Sequence, residues 1–308
     1  MITSRLSVYR FVLHAVLWML FSAVSVAQLS ETAAWSADLS SRYRVIPNIT
    51  YSVANNFECK LDVYATRSPA VPVPTLIFLH GGGWVVGNKE SSVLSILPYL
   101  EMGFAVVNVE YRLAKVSLAP AAVEDCRLAL RWVFLNAKTY GFDTTKVVVT
   151  GGSAGGHLAL TTGMLTAAAG FDNVPDWDTF GGQPRVAAII NWFGITDVNE
   201  LFAGPNMQRY ALSWFGSLPN RDELAKQLSP INLVRKDLPP IFTVHGDKDQ
   251  LVPYTHAVRL HAALNKAGVP NEFITIPGGR HGGFTREETL RVFTGIRSFL
   301  RQHGILNE

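Results

Sequence analysis

The sequence is poor in charge, and it lacks basic clusters and repeats. Only 17% of its 308 residues are charged, and 27 basic against 24 acidic residues leave a net charge of +3. No Lys/Arg cluster stands out, so the electrostatic footprint of a nucleic-acid-binding protein is missing. The absence of repeats of about 20–50 residues and of low-complexity stretches argues against a solenoid or a disordered chain. What remains is an ordinary globular composition, 48% hydrophobic, in a chain long enough to bury a large core.

Cysteine is also scarce, because Cys59 and Cys126 are the only two in the chain. They could pair in an oxidising compartment or fill the core as small side chains, and both alternatives stay open at this point. No cysteine and histidine cluster has the spacing of a metal site. We therefore expect neither a metal nor an organic cofactor.

The one long apolar run lies at the start of the chain. Arg5 and Arg10 precede an uncharged, mostly apolar stretch over residues 11–27, which ends in Ser25-Val26-Ala27. A basic start, an apolar middle and small residues at the end are typical of a cleaved signal peptide. We expect a signal peptide over residues 1–27 and a secreted or periplasmic protein without stable membrane association. A retained anchor is the alternative, since ~17 residues is the shortest length that spans a membrane.

After a lead-in over residues 28–48, which we expect to be extended, short apolar strands alternate with amphipathic helices. Strands that read as continuous apolar runs are typical of a parallel sheet with helices on both faces. Residues 170–183 and 199–230 break the alternation and are rich in Asp, Pro, Trp and Gly. We expect them to be loops or small helices that form a modest cap. The sequence thus predicts one α/β domain over residues 49–308, with a mostly parallel sheet.

One strand of this pattern, Val147–Thr150, leads into a glycine-rich turn, Gly151-Gly152-Ser153-Ala154-Gly155, and then into a helix. This is the G-x-S-x-G pattern of a nucleophile elbow. A strained turn pushes the serine hydroxyl above the sheet, and side chains at Gly151 and Gly155 would collide with neighbouring elements. Ser153 is the predicted nucleophile. The alternative is an ordinary glycine-rich turn, which the position between a buried strand and a helix disfavours.

A second glycine-rich turn, His80-Gly81-Gly82-Gly83-Trp84, follows the apolar strand Thr75–Leu79. Glycines allow backbone N–H groups to approach a ligand closely, as in an oxyanion hole. We predict that Gly82 and Gly83 supply two of the donors and Ala154 the third. His80 is expected to brace the loop, and its alternative role is that of a catalytic base.

An acid and a base follow the serine in the chain. Asp249 comes after a short buried strand and is the predicted acid, with Asp247 as the alternative, which we expect to cap the turn instead. His281 lies between glycines after the last strand and is the predicted base. The order Ser, Asp, His is the order found in α/β-hydrolases.

These motifs resemble the HGGG-bearing carboxylesterases of the hormone-sensitive-lipase type and the bacterial feruloyl and acetyl-xylan esterases. The resemblance covers about residues 51–299 and also includes Glu110-Tyr111-Arg112-Leu113 and the segment GGSAGGHLAL at 151–160. It implies an α/β-hydrolase fold and a serine hydrolase that cleaves carboxylic esters through an acyl-enzyme. Gly152 stands where the lipase type usually carries an acidic residue, which favours the xylan-esterase-like group.

The expected substrates are small acyl or aryl esters, either free or linked to polysaccharide as acetyl or feruloyl groups. Trp84, Trp192 and Phe193 follow strand ends and are predicted to line the substrate pocket, with a place in the core as the alternative for Trp192. Amide cleavage, by an arylformamidase or a small peptidase, is the alternative activity because the same triad serves it. A non-catalytic binding protein is expected to lack a triad member, and none is missing.

Overall fold

The computed structural model describes residues 30–54, 56–67, 69, 71–172 and 184–307. The chain divides into two units, residues 1–41 and residues 42–308. The expected signal peptide and residues 173–183 of the first expected insertion lie outside the described residues. Within the described ranges, no helix combines the length and the apolar character needed to cross a membrane.

The prediction of an extended lead-in over residues 28–48 is wrong. Helix α1, Glu31–Arg42, occupies most of it, and the first strand begins at Tyr43. Ser30 caps this helix by accepting a hydrogen bond from the N–H of Ala33, at 3.2 Å. An acidic residue in the first turn and a basic one in the last also match the helix dipole, so local preferences explain the helix.

The larger unit is built on a mixed sheet of eight strands, in the order β1-β2-β4-β3-β5-β6-β7-β8. Both pairings of β2, with β1 and with β4, are antiparallel, and every other pairing is parallel. This confirms the expected mostly parallel sheet. The strands are β1 (Tyr43–Ala54), β2 (Phe57–Thr66), β3 (Val73–Leu79), β4 (Ala105–Val109), β5 (Phe142–Gly152), β6 (Ala188–Trp192), β7 (Ile241–Gly246) and β8 (Asn271–Ile276).

Helices surround this sheet and bury both of its faces. Ile77 and Val149 belong to a core that includes buried residues of α3 and α5, whereas Phe242 contacts Phe299 of α9. The described helices are α2 (Val93–Glu101), α3 (Ala121–Leu135), α4 (Ala137–Tyr140), α5 (Ala154–Met164), α6 (Arg209–Phe215), α7 (Arg221–Gln227), α8 (Thr255–Ala267) and α9 (Arg286–Gln302).

The expected cap segment over residues 199–230 contains small helices, namely α6, α7 and short 3-10 turns. Cys59 of β2 and Cys126 of α3 are both buried and both free. Burial raises the pKa of the Cys59 thiol to about 12, and it raises that of Cys126 well above its ordinary value. Both cysteines therefore act as small core residues in this structure.

The parallel strands bring the predicted site residues to one edge of the sheet. β3, β5, β6, β7 and β8 all run in the same direction, so their carboxyl ends share that edge. The two glycine-rich turns follow β3 and β5. Phe193 follows β6, Asp249 follows β7 and His281 follows β8. Ligands of open α/β sheets bind at this edge.

Candidate active site

The elbow at Ser153 has the strained geometry that its sequence predicts. Ser153 adopts a φ of 58° and a ψ of −122° at the start of α5. A Cβ atom at Gly151 would lie 2.3 Å from the carbonyl oxygen of Leu79, and one at Gly155 would lie 2.1 Å from it. No side chain fits at these distances, so both glycines are required for the turn.

The loop Gly81–Gly83 lies against the elbow, since a Cβ atom at Gly81 would be 2.9 Å from the carbonyl oxygen of Gly152. Gly82 has a φ of 115°, which favours glycine. Within the part of the chain that the structure describes, no group accepts a hydrogen bond from the N–H of Gly82, Gly83 or Ala154. Gly82 and Gly83 also line the cavity that contains Ser153.

His80 braces this loop through a hydrogen bond to its backbone, as expected. Its Nδ1–H donates to the carbonyl oxygen of Gly81 at 2.8 Å, and its ring stacks on Tyr111 with centroids 4.2 Å apart. The Tyr111 hydroxyl donates in turn to the His80 carbonyl at 2.8 Å. Burial lowers the pKa of His80 to about 4. Because its side chain is buried and is not part of the cavity wall at Ser153, His80 does not have the position of a base.

The structure joins Asp249, and not Asp247, to His281. His281 Nδ1 lies 2.7 Å from Asp249 Oδ2, and Asp249 Oδ1 accepts the N–H groups of Leu251 and Val252 at 2.8 and 3.0 Å. Asp247 instead accepts the N–H of Gly278 at 2.7 Å and so ties together the loops that carry the acid and the base.

A second histidine, His245, for which the sequence predicted no role, contacts the same carboxylate. His245 Nε2 lies 3.2 Å from Asp249 Oδ2 and 3.0 Å from the carbonyl oxygen of Val252. Because a carbonyl oxygen only accepts, Nε2 carries the proton and donates to both. The available sequence signal is a histidine at the end of a buried strand, four residues before the acid.

These contacts decide the charge of Asp249. Burial by itself raises the pKa of its carboxyl group. The hydrogen bonds from His245, from His281 and from the Val252 N–H lower that pKa by more than burial raises it. The net result is a pKa well below the ordinary range for aspartate. The side chain is fully buried and yet remains ionised at neutral pH, as the partner of a histidine that gains a proton must be.

Ser153 and His281 lie on the wall of one cavity of about 570 Å³. Its lining also includes Gly82, Gly83 and Tyr210 of α6, so the cap segment contributes to this site. A larger cavity, of about 740 Å³, lies at the opposite edge of the sheet, where β3 and β5 begin. None of the predicted site residues lines that larger cavity, so its size has no bearing on the chemistry at Ser153.

The three aromatic residues predicted for the substrate pocket have different positions. Phe193 lines the cavity at Ser153, and its ring contacts that of His281 with centroids 4.9 Å apart. Trp192 lines an adjoining cavity. The prediction for Trp84 is wrong, because its side chain is fully buried and stacks on Trp214 at 4.1 Å. Among the described residues, no group of three or more His, Cys, Asp or Glu side chains could hold a metal ion.

Comparison with known proteins places the chain in a family. Residues 61–264 match the BD-FAE family. The esterase LipQ of Mycobacterium tuberculosis is 28% identical over 222 residues, which are 70% of this chain and 51% of LipQ. The chain thus spans about half the length of the curated relatives that it matches first.

Two solved structures resemble most of this chain. A truncated carbohydrate esterase from gut microbiota superposes with a TM-score of 0.72 at 28% identity, covering 85% of this chain and 97% of that chain. An esterase of the planctomycete Thermogutta terrifontis, solved with propionate bound, superposes with a TM-score of 0.71 at 25% identity, covering 88% and 97%. The family match extends over more than half of the residues of this chain. The chain therefore belongs to the BD-FAE family, and it has the α/β-hydrolase fold.

Proposed function

We propose that this protein is a carboxylic ester hydrolase with Ser153 as nucleophile, His281 as general base and Asp249 as the acid that orients His281. The observation that carries the proposal is the hydrogen bond between His281 Nδ1 and the buried carboxylate of Asp249. That bond directs Nε2, the other ring nitrogen, to act as the base, because Nδ1 holds its proton towards Asp249. His281 shares one cavity with a serine on a strained elbow.

The proposed reaction proceeds through an acyl-enzyme. His281 takes the Ser153 proton as Oγ attacks the ester carbonyl, and the N–H groups of Gly82, Gly83 and Ala154 stabilise the oxyanion. His281 then gives that proton to the leaving alcohol, and water hydrolyses the acyl-serine with His281 again as base. Loss of one oxyanion donor typically costs about 3–4 kcal/mol of transition-state stabilisation.

The relatives support esters as the substrate class. LipQ and the Thermogutta protein are named esterases, and the latter binds propionate, a small carboxylate. The carbohydrate esterase from gut microbiota supports polysaccharide-linked esters as natural substrates. From the targeting pattern over residues 1–27, we propose that the protein acts on such esters outside the cytoplasm.

Labelling of the nucleophile tests the proposal directly. A fluorophosphonate probe should label the protein once, on the peptide that contains Ser153, and hydrolysis of p-nitrophenyl acetate should fall in proportion. Ser153→Ala should lose both the label and the turnover, apart from the residual rate that binding and an oxyanion hole supply. Ser91→Ala, which removes another serine from the same cavity wall, should still be labelled on Ser153. A folded Ser153→Ala protein that turns over esters at the parent rate would refute the assignment.

A further inference from the structure

A second cavity of about 380 Å³ adjoins the cavity at Ser153. The two share Gly152, Phe193, Phe78 and Ser95 as lining residues. The remaining wall of this side pocket comes from α2, from α9 and from the end of β6, and it consists of Leu94, Pro98, Tyr99, Trp192, Thr289 and Phe293.

Aromatic rings dominate the wall of the side pocket, and they hold one another in place. The Phe293 ring lies 5.3 Å from that of Trp192 and 5.5 Å from that of Tyr99. Trp192 Nε1–H donates to the Tyr99 hydroxyl at 3.2 Å, so these two polar groups pair with each other. The ring faces that remain are apolar and prearranged, which suits an apolar group with a planar ring.

Gly152 lies on the wall that the side pocket shares with the cavity at Ser153. A Cβ atom there would lie 3.3 Å from the Phe193 ring, which lines both cavities. Any larger side chain would press on the Phe193 ring, which lies on the wall of both cavities. An acidic side chain would also place a charge beside an apolar wall, which is unfavourable.

The position of His281 decides which half of an ester enters the side pocket. His281 lines the cavity at Ser153 but not the side pocket. In the proposed mechanism His281 must reach the oxygen of the leaving alcohol, so the alcohol stays in the first cavity. The acyl group extends from the other side of the carbonyl carbon and is free to occupy the side pocket.

We infer that the side pocket binds the acyl group of the substrate, as an apolar group about the size of one ring, and that Gly152 and Phe193 set its size limit. This inference rests on the proposed ester hydrolysis. A volume of about 380 Å³ lies near the lower end of the ~300–1,000 Å³ typical of small-molecule sites, which favours a compact ring over a long chain.

Filling the side pocket tests the inference. Thr289→Trp on α9 places a large ring in the pocket, and Thr294→Trp adds the same ring at an exposed position of the same helix. We expect Thr289→Trp to lower the ratio of kcat/KM for p-nitrophenyl benzoate to that for p-nitrophenyl acetate about tenfold or more. Thr294→Trp should leave this ratio unchanged. Gly152→Ala should lower it too, since its methyl group would press on the Phe193 ring, which lines both cavities.

A second substrate series separates the acyl group from the alcohol. The ratio of kcat/KM for phenyl acetate to that for ethyl acetate varies the alcohol only, and it should not respond to Thr289→Trp. If this ratio falls instead, the pocket binds the alcohol and the inference is wrong. If neither ratio changes, the side pocket is no subsite. Fluorophosphonate labelling of Ser153 in every variant shows that the nucleophile is intact. Failure of the wild type to be labelled or to cleave any ester would instead refute the proposed function.

Discussion

Replacement of Asp249 by asparagine is the sharpest test of the proposed triad, because the structure determines how the new amide must lie. Oδ1 of Asp249 accepts two backbone N–H groups, from Leu251 and Val252. An asparagine that keeps its oxygen at this position turns its NH₂ group towards Nδ1 of His281. Two donors cannot face each other, so His281 must shift its proton to Nε2, where it can no longer accept the proton of Ser153.

Only an asparagine with its amide group flipped, so that its oxygen faces His281, would restore the productive tautomer. The hydrogen bonds that Oδ1 accepts in the wild type oppose this flip. Flipping leaves the N–H groups of Leu251 and Val252 facing an NH₂ group. Each unsatisfied buried donor disfavours the flipped form by about 1–3 kcal/mol, although flipping also returns an acceptor to the Nε2–H of His245. We therefore expect Asp249→Asn to lower kcat by orders of magnitude, towards the loss of ~10⁴ for the equivalent change in a Ser-His-Asp protease.

The assay is hydrolysis of p-nitrophenyl acetate by folded protein, with Asp247→Asn as the matched control. Asp247 only accepts the N–H of Gly278, and an asparagine oxygen can accept it equally well. Asp247→Asn should therefore keep kcat within a few fold. If Asp247→Asn lost more activity than Asp249→Asn, the assignment of the acid would be wrong. A folded Asp249→Asn enzyme with the parent kcat would show that the observed hydrogen bond to His281 has no catalytic role.

Three further outcomes follow from the geometry. Gly82→Ala should lower kcat by about 10²–10³, because its Cβ atom would lie 2.0 Å from the Val86 carbonyl oxygen. Gly268 also has a positive φ but has open space around it, so Gly268→Ala should leave kcat unchanged. Burial lowers the pKa of His157 from 6.5 to about 4, so its contribution to the free energy of unfolding is present above pH 6.5 and is lost as the pH falls towards 4. In urea denaturation across this range, the free energy of unfolding should change less steeply with pH for His157→Gln than for the wild type, by up to about 1.4 kcal/mol per pH unit. An unchanged slope would contradict the lowered pKa of His157. Exported protein should begin at Gln28, and intact mass or Edman sequencing that finds residues 1–27 retained would contradict the expected cleavage.

The sequence was sufficient to predict the structure wherever contacts between residues close in the chain determine it. The tight approach of Gly151 and Gly155 to the Leu79 carbonyl follows from the elbow pattern itself, and so does the strained backbone of Ser153. The alternation of short apolar strands with helices likewise predicted the mostly parallel sheet. Helix α1 was not predicted, because its many small residues obscure the local signals for a helix, which are its capping serine and its charged ends.

Long-range packing accounts for the other errors and omissions. Trp84 follows a glycine-rich turn, as a pocket residue would, but it stacks on Trp214, which lies in the cap segment far along the chain. The turn itself also holds Trp84 at a φ of 60°. For His245 the sequence shows a histidine near an acid, but only the fold reveals that its Nε2 reaches the same carboxylate oxygen as His281. Such contacts depend on the positions that loops take in the folded structure, and the spacing of residues along the chain does not determine those positions.

The departure at Gly152 shows how a family difference becomes a structural one. In the sequence it only favours one group of esterases over another. In the structure, residue 152 faces the ring of Phe193, which follows β6 and itself adopts a φ of 40°. The space that a side chain at 152 would need is already occupied in part by that ring. A larger residue before the nucleophile therefore requires the Phe193 ring to shift or a smaller residue to stand at position 193.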